Sequence, residues 1–253
     1  MASEGMPSAN PETQTVKAWL EGHPHDLQAL SELFCEGDIR VIHDDQEDAY
    51  YLTAPDIDTP PEPGRFDQAA EALMKRVNGL ARTHQADFLP VSLTGRYTNP
   101  TGTHVFVAAV SIEARARIGM VAGVVGSDGQ PVPNPLSSWP SRLALAADNP
   151  DVAEALGIMG RSEPLGWDDL YKVHEIVRHA VRPDSITDYG WTDAQTNSVF
   201  RASANRADVS GDGARHARNP GPPPTRTMSL AEGRSFIGAL VIQWLNHLAQ
   251  QAP

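Results

Sequence analysis

The spacing of apolar residues changes near residue 130, and this change constrains the fold more than any single motif. Before it, short apolar runs alternate with turn formers. After it, apolar residues recur every three or four positions over long stretches. Four prolines (Pro131, Pro133, Pro135, Pro140) stand between the two patterns. The expectation is an α+β protein. Residues 15–130 would form a mostly antiparallel sheet of about five strands with packed helices. Residues 131–148 would be a proline-rich linker and short helix, and 149–253 an all-helical unit. Residues 1–14 are small, polar and without periodicity, so they read as a disordered N-terminus.

Within the first unit, residues 16–20 read as the start of a short helix. Residues 26–34 read as another, with Leu27, Leu30, Leu33 and Phe34 on one side. Two strands follow at 39–43 and 49–53, joined by Asp44-Asp-Gln-Glu-Asp48 into a hairpin. After the stiff connector Thr59-Pro-Pro-Glu-Pro-Gly64, the residues Phe66, Ala70, Leu73, Met74, Val77 and Leu80 predict a helix of about four turns. Further strands are expected at 88–97 and 104–113, with a third apolar segment at 118–125.

In the helical unit, Asn149-Pro150 is a good helix start, with Asn as cap and Pro in the first turn. Residues 167–181 carry Leu170, Val173, Ile176, Val177 and Val181. Thr192-Asp-Ala-Gln195 and Ser229-Leu-Ala-Glu232 both match a capping box. The last helix offers Phe236, Ile237, Leu240, Val241, Trp244, Leu245 and Leu248 to the core.

The charge is unevenly placed. Residues 1–64 hold two basic residues, Lys17 and Arg40, against fourteen acids. The remainder is balanced, so the whole formal charge of −12 lies in the first quarter of the chain. Such a chain is a poor general binder of nucleic acid, whose phosphates require positive charge nearby. The acidic segment could serve solubility, mimic a polyanion or dock on a basic protein partner. No apolar run approaches the roughly 20 residues needed to cross a bilayer, and the N-terminus has no basic stretch followed by an apolar one. The single cysteine, Cys35, fits a reducing cytoplasm and reads as a quiet structural thiol.

Several metal and nucleophile patterns fail on spacing. The acids at 44–48 lack the glycine and distal glutamate of a calcium loop. In His174-Glu-Ile-Val-Arg-His179 the histidines are five apart, so on a helix their rings diverge by about 140°. That reads as an exposed helix face on which Glu175 and His179 can pair. No phosphate loop and no nucleophile elbow occur. Neither a metal nor a cofactor is expected.

The densest cluster of reactive groups is Ser210-Gly-Asp-Gly-Ala-Arg-His-Ala-Arg-Asn-Pro220. Gly211 and Gly213 permit backbone conformations in which successive amides form an anion-binding concavity. Arg206, Arg215 and Arg218 could add bidentate contacts to phosphate or carboxylate. His216 could move a proton near neutral pH, and Asp212 could orient it. Alternatively, Asp212 caps a single turn and the arginines pair with internal acids.

The segment Gly211-Asp-Gly-Ala-Arg-His-Ala-Arg, the prolines after it, Met228-Ser-Leu-Ala-Glu and Ile242-Gln-Trp-Leu245 resemble the C-terminal part of a group of uncharacterised bacterial proteins. Asp168-Asp-Leu-Tyr-Lys-Val-His-Glu-Ile-Val-Arg178 is similar to the same group. More loosely, the loop is similar to HEPN-type helical ribonucleases, which place an arginine a few residues before a histidine at a helix start. Here Arg206 is ten positions before His216, and Arg215 abuts it. Two functions follow as expectations. One is a cytoplasmic binding module that takes an anionic, phosphate-bearing small molecule through Arg206, Asp212, Arg215 and Arg218, or docks on a basic protein. The other is a metal-independent endoribonuclease using His216 as proton carrier and Arg215 to stabilise charge on phosphorus.

Overall fold

A computed structural model describes residues 15–106, 138–214 and 224–251. The chain is α+β, with a five-stranded antiparallel sheet and a helical C-terminal region. The first part runs β1 (Lys17–Glu21), α1 (Pro24–Leu33), β2 (Arg40–Asp44), β3 (Ala49–Thr53), the short α2 (Pro55–Asp58), α3 (Phe66–His84), β4 (Ser92–Asn99) and β5 (Gly102–Val105). The second part runs α4 (Ser138–Asp148), α5 (Pro150–Met159), α6 (Trp167–Ala180), α7 (Ala194–Asn205), the short α8 (Ala207–Ser210) and α9 (Leu230–Gln251).

The strand order is β2-β3-β1-β4-β5. The expected hairpin forms in register from Arg40↔Thr53 to Asp44↔Ala49. Its turn is closed by Asp44, whose Oδ1 accepts the amides of Gln46 and Glu47 at 3.1 and 3.3 Å. Where residues 16–20 are expected to start a helix, Lys17–Glu21 form a strand. They form the middle of the sheet, with Ala18 opposite Leu52 on one side and Tyr97 on the other. Val16, Ala18, Trp19 and Leu20 are all buried, so this strand shows no polar alternation to distinguish it from a helical turn. Phe88 ends a turn, its amide donating to the Gln85 carbonyl at 3.0 Å, and strand β4 starts only at Ser92. The expected strand segments at 107–113 and 118–125 lie outside the described residues.

Helix α3 is the hub. It packs on β4, α5 and α9. Its contact with α5 is backbone to backbone: a Cβ on Gly79 would lie 2.0 Å from the Leu156 carbonyl oxygen, and one on Gly160 would lie 1.8 Å from that of Lys75. Two buried polar side chains fix what surrounds it. Asn78 donates to the Val91 carbonyl at 2.8 Å and accepts the Val91 amide at 3.0 Å, so it stands in for a strand neighbour. Arg82 donates to the carbonyls of Phe88, Met159 and Arg161 at 3.3, 2.9 and 2.6 Å. Burial, reinforced by the charge of Arg234, lowers the Arg82 pKa to about 10.

The helical caps follow from local chemistry. Asn149 accepts the amides of Asp151 and Val152 and starts α5 as expected. Ser229 and Glu232 form the reciprocal box before α9: Glu232 accepts the Ser229 amide at 2.6 Å, and Ser229 Oγ accepts the Glu232 amide at 3.2 Å. At α7 the cap is Asp193, not Thr192. Its carboxylate accepts the Thr196 amide and hydroxyl, each at 2.7 Å, and a charged acceptor outcompetes the neighbouring hydroxyl. A contiguous apolar cluster runs from Ala18 and Leu52 in the sheet, through Leu80 and Leu156, to Trp244 on α9.

Candidate functional site

The loop after α7 is anchored at Ser203, which is fully buried. The Ser210 hydroxyl donates to the Ser203 carbonyl, and Ser203 Oγ accepts the Met228 amide at 2.8 Å. Both ends of the 210–228 stretch are thus tied to one residue. Between them, Gly211 adopts φ +59°, a left-handed conformation that L side chains resist, and Gly211–Gly213 make one 3-10 turn. Asp212 is exposed on that turn. Arg206 makes a bidentate pair with Asp208, at 2.9 Å from Nε and 2.7 Å from Nη2. This pair raises the arginine pKa and lowers that of the carboxyl. Arg215, His216 and Arg218 lie outside the described residues, so Arg206 and Asp212 alone of the expected set are placed.

A neighbouring group escaped the sequence reading. His174 is fully buried and does not lie on an exposed helix face, although Glu175, Arg178 and His179 do. Its ring lies 5.0 Å from Phe200, 5.9 Å from Tyr171 and 6.4 Å from Phe236, centroid to centroid. Nε2 lies 2.8 Å from Asn197 Oδ1, so Nε2 carries the proton. Nδ1 is buried and has no hydrogen-bond partner among the described residues. Burial pushes the pKa down to about 4, against the opposing hydrogen bond donated to Asn197, and Arg178 and Arg201 add to the lowering. The ring is therefore neutral at pH 7. The signal was present: Trp167, Leu170, Tyr171, His174 and Val177 share one helical stripe.

The acidic hairpin carries the third group. Lys17 pairs with Asp44 at 2.7 Å, and Arg96 with Glu47 at 3.1 Å. Both cations also lie over the Trp19 ring, at 5.7 and 4.4 Å from its centroid. His43 sits between Asp45 at 3.1 Å and Asp48 at 3.3 Å. The Asp45 and Asp48 side chains are 98% and 95% exposed. Among the described residues, no three His, Cys, Asp or Glu side chains converge to hold a metal ion. Cys35 is exposed just past α1, not packed as a structural thiol. Among the described residues, no helix is long and apolar enough to cross a membrane.

Compared with protein-family models, with curated proteins and with solved structures, the chain gives no match.

Proposed function

We propose that the protein is an interaction module that docks on a basic protein partner through the β2–β3 edge of its sheet. One observation carries this reading: Asp45 and Asp48 stand almost wholly in solvent at the end of that edge. The local cations Lys17 and Arg96 are taken up by Asp44 and Glu47. The chain's excess negative charge lies in the same first 64 residues. Such a surface attracts a positively charged partner over roughly a Debye length.

The test is calorimetric titration with an oligolysine peptide, with an oligoglutamate peptide as control. Oligolysine binds at low salt and is released at high salt. Asp45→Lys combined with Asp48→Lys weakens the binding severalfold. Equal heats for the double variant and the natural protein refute the proposal.

A second reading has its own support. Ser203 ties down both Ser210 and Met228, which brackets the stretch that carries Asp212, Arg215 and Arg218 and supports a site for an anionic, phosphate-bearing ligand there. Arg206 would have to share its guanidinium with Asp208. Titration with inorganic phosphate and with a nucleotide tests it: Arg215→Glu with Arg218→Glu abolishes the heat, and an unaltered isotherm rejects the site.

A further inference from the structure

Away from the hairpin, the segment between α6 and α7 builds a rigid aromatic surface. Ile186 is buried to 1% and pins the segment to the core. The Ser185 amide and hydroxyl both donate to Asp188 Oδ2, at 2.9 and 2.8 Å. The Trp191 amide closes the turn onto the Ile186 carbonyl at 3.0 Å. From α9, Gln243 donates to the Trp191 carbonyl at 3.4 Å.

On this frame Tyr189 stacks on Trp191, with ring centroids 4.9 Å apart and planes 23° apart. His247 of α9 completes the group, 4.6 Å from Tyr189 and 5.5 Å from Trp191. Among the described residues, Tyr189 is the large aromatic side chain left exposed, at 36%. An aromatic stack on a rigid surface loop is the kind of group that anchors a partner, because little conformational entropy remains to be lost on binding.

The electrostatics select the partner. The Tyr189 hydroxyl donates to Asp184 at 3.1 Å. Desolvation, that hydrogen bond and the charges of Asp184 and Asp188 raise the phenol's pKa above its ordinary value. Two other tryptophans of this chain lie under the chain's own cations: Lys17 and Arg96 over Trp19, and Arg142 over Trp139. Among the described residues no such cation covers Tyr189 or Trp191, although ring faces and carboxylates together favour one.

We propose that Tyr189, Trp191 and His247, flanked by Asp184 and Asp188, form a docking site for an arginine or lysine side chain of a partner protein. The site is separate from the acidic hairpin and does not depend on docking there. The cation lies against the exposed part of the Tyr189 ring, and its N–H groups reach the two carboxylates.

The experiment titrates the full-length, isotopically labelled protein with a blocked Gly-Arg-Gly peptide and follows backbone and indole resonances. A matching lysine peptide serves as a second probe, and a citrulline peptide as the neutral control. Saturable shifts are expected at Tyr189, Gly190 and Trp191 with the two cationic peptides and not with citrulline. Tyr189→Leu keeps the apolar bulk without the ring and weakens binding by about two- to fivefold. Asp184→Asn also weakens it. Asp45→Asn with Asp48→Asn leaves these shifts in place, which separates this site from the hairpin. Equal response to citrulline, shifts confined to the hairpin, or natural affinity in Tyr189→Leu overturns the proposal.

Discussion

His174 Nε2 and Asn197 Oδ1 lie 2.8 Å apart and join α6 to α7 inside an otherwise aromatic cluster. The bond fixes which ring nitrogen carries the proton and leaves the other buried lone pair without a donor among the described residues. The interior here therefore accepts a neutral imidazole and rejects an imidazolium.

Stability follows from that preference. In the unfolded chain this histidine takes up a proton near its ordinary 6.5, and in the fold only near 4. Across that window protons bind the unfolded state more strongly. The contribution is complete above pH 6.5 and is lost as pH falls toward 4, by roughly 3 kcal/mol at the lower end. Urea midpoints at pH 7 and pH 4.5 measure it. In His174→Leu this part of the pH dependence disappears; an unchanged slope contradicts the assignment.

The α3–α5 crossing predicts opposite outcomes for two glycine-to-alanine changes. Gly79→Ala drives a methyl into the Leu156 carbonyl, 2.0 Å from the ideal Cβ position, and costs several kcal/mol. Gly157→Ala, on α5 with nothing among the described residues within 4 Å of its Cβ, gains about 0.5–1 kcal/mol from helix propensity. Thermal melting of the two variants checks both signs.

Arg82 predicts a failure of conservative replacement. Its planar fork serves carbonyls from two separate segments, at Phe88 and at Met159 and Arg161. Lysine retains the charge but cannot reproduce that geometry. Arg82→Lys and Arg82→Met should each lower stability by about 2–4 kcal/mol in denaturant titrations, since buried carbonyls lose their donors.

Ser203→Ala removes the acceptor of the Met228 amide and costs about 1–2 kcal/mol. Hydrogen exchange at Met228 should accelerate well before that of Leu240 or Val241, which are buried in the middle of α9. Uniform acceleration along α9 would show that the bond does not hold the loop locally.

How much of this was legible depended on whether partners were near in sequence. The β2–β3 hairpin was readable because two strands and their turn lie within one short stretch, and the Ser229–Glu232 box because its members are three residues apart. The Thr192 cap was misread by one position, because Asp193 offers a stronger acceptor in the same geometry. Strand β1 was hidden because neighbours on both sides and both faces remove its alternation. Asn78 and Arg82 could not be foreseen, since they bond to backbone carbonyls, which carry no residue identity. In the candidate loop, the partners Arg206 and Asp208 are two residues apart in plain view, but the bidentate pairing itself emerges only from the side-chain geometry.

Holding Ser210 and Met228 at a single serine has a practical corollary. The chain leaves and rejoins the helical framework at one point, so the intervening length can be altered with only a logarithmic change in closure entropy. Foreign peptides grafted between those two residues should leave the scaffold intact, which makes this position a natural insertion port for engineering.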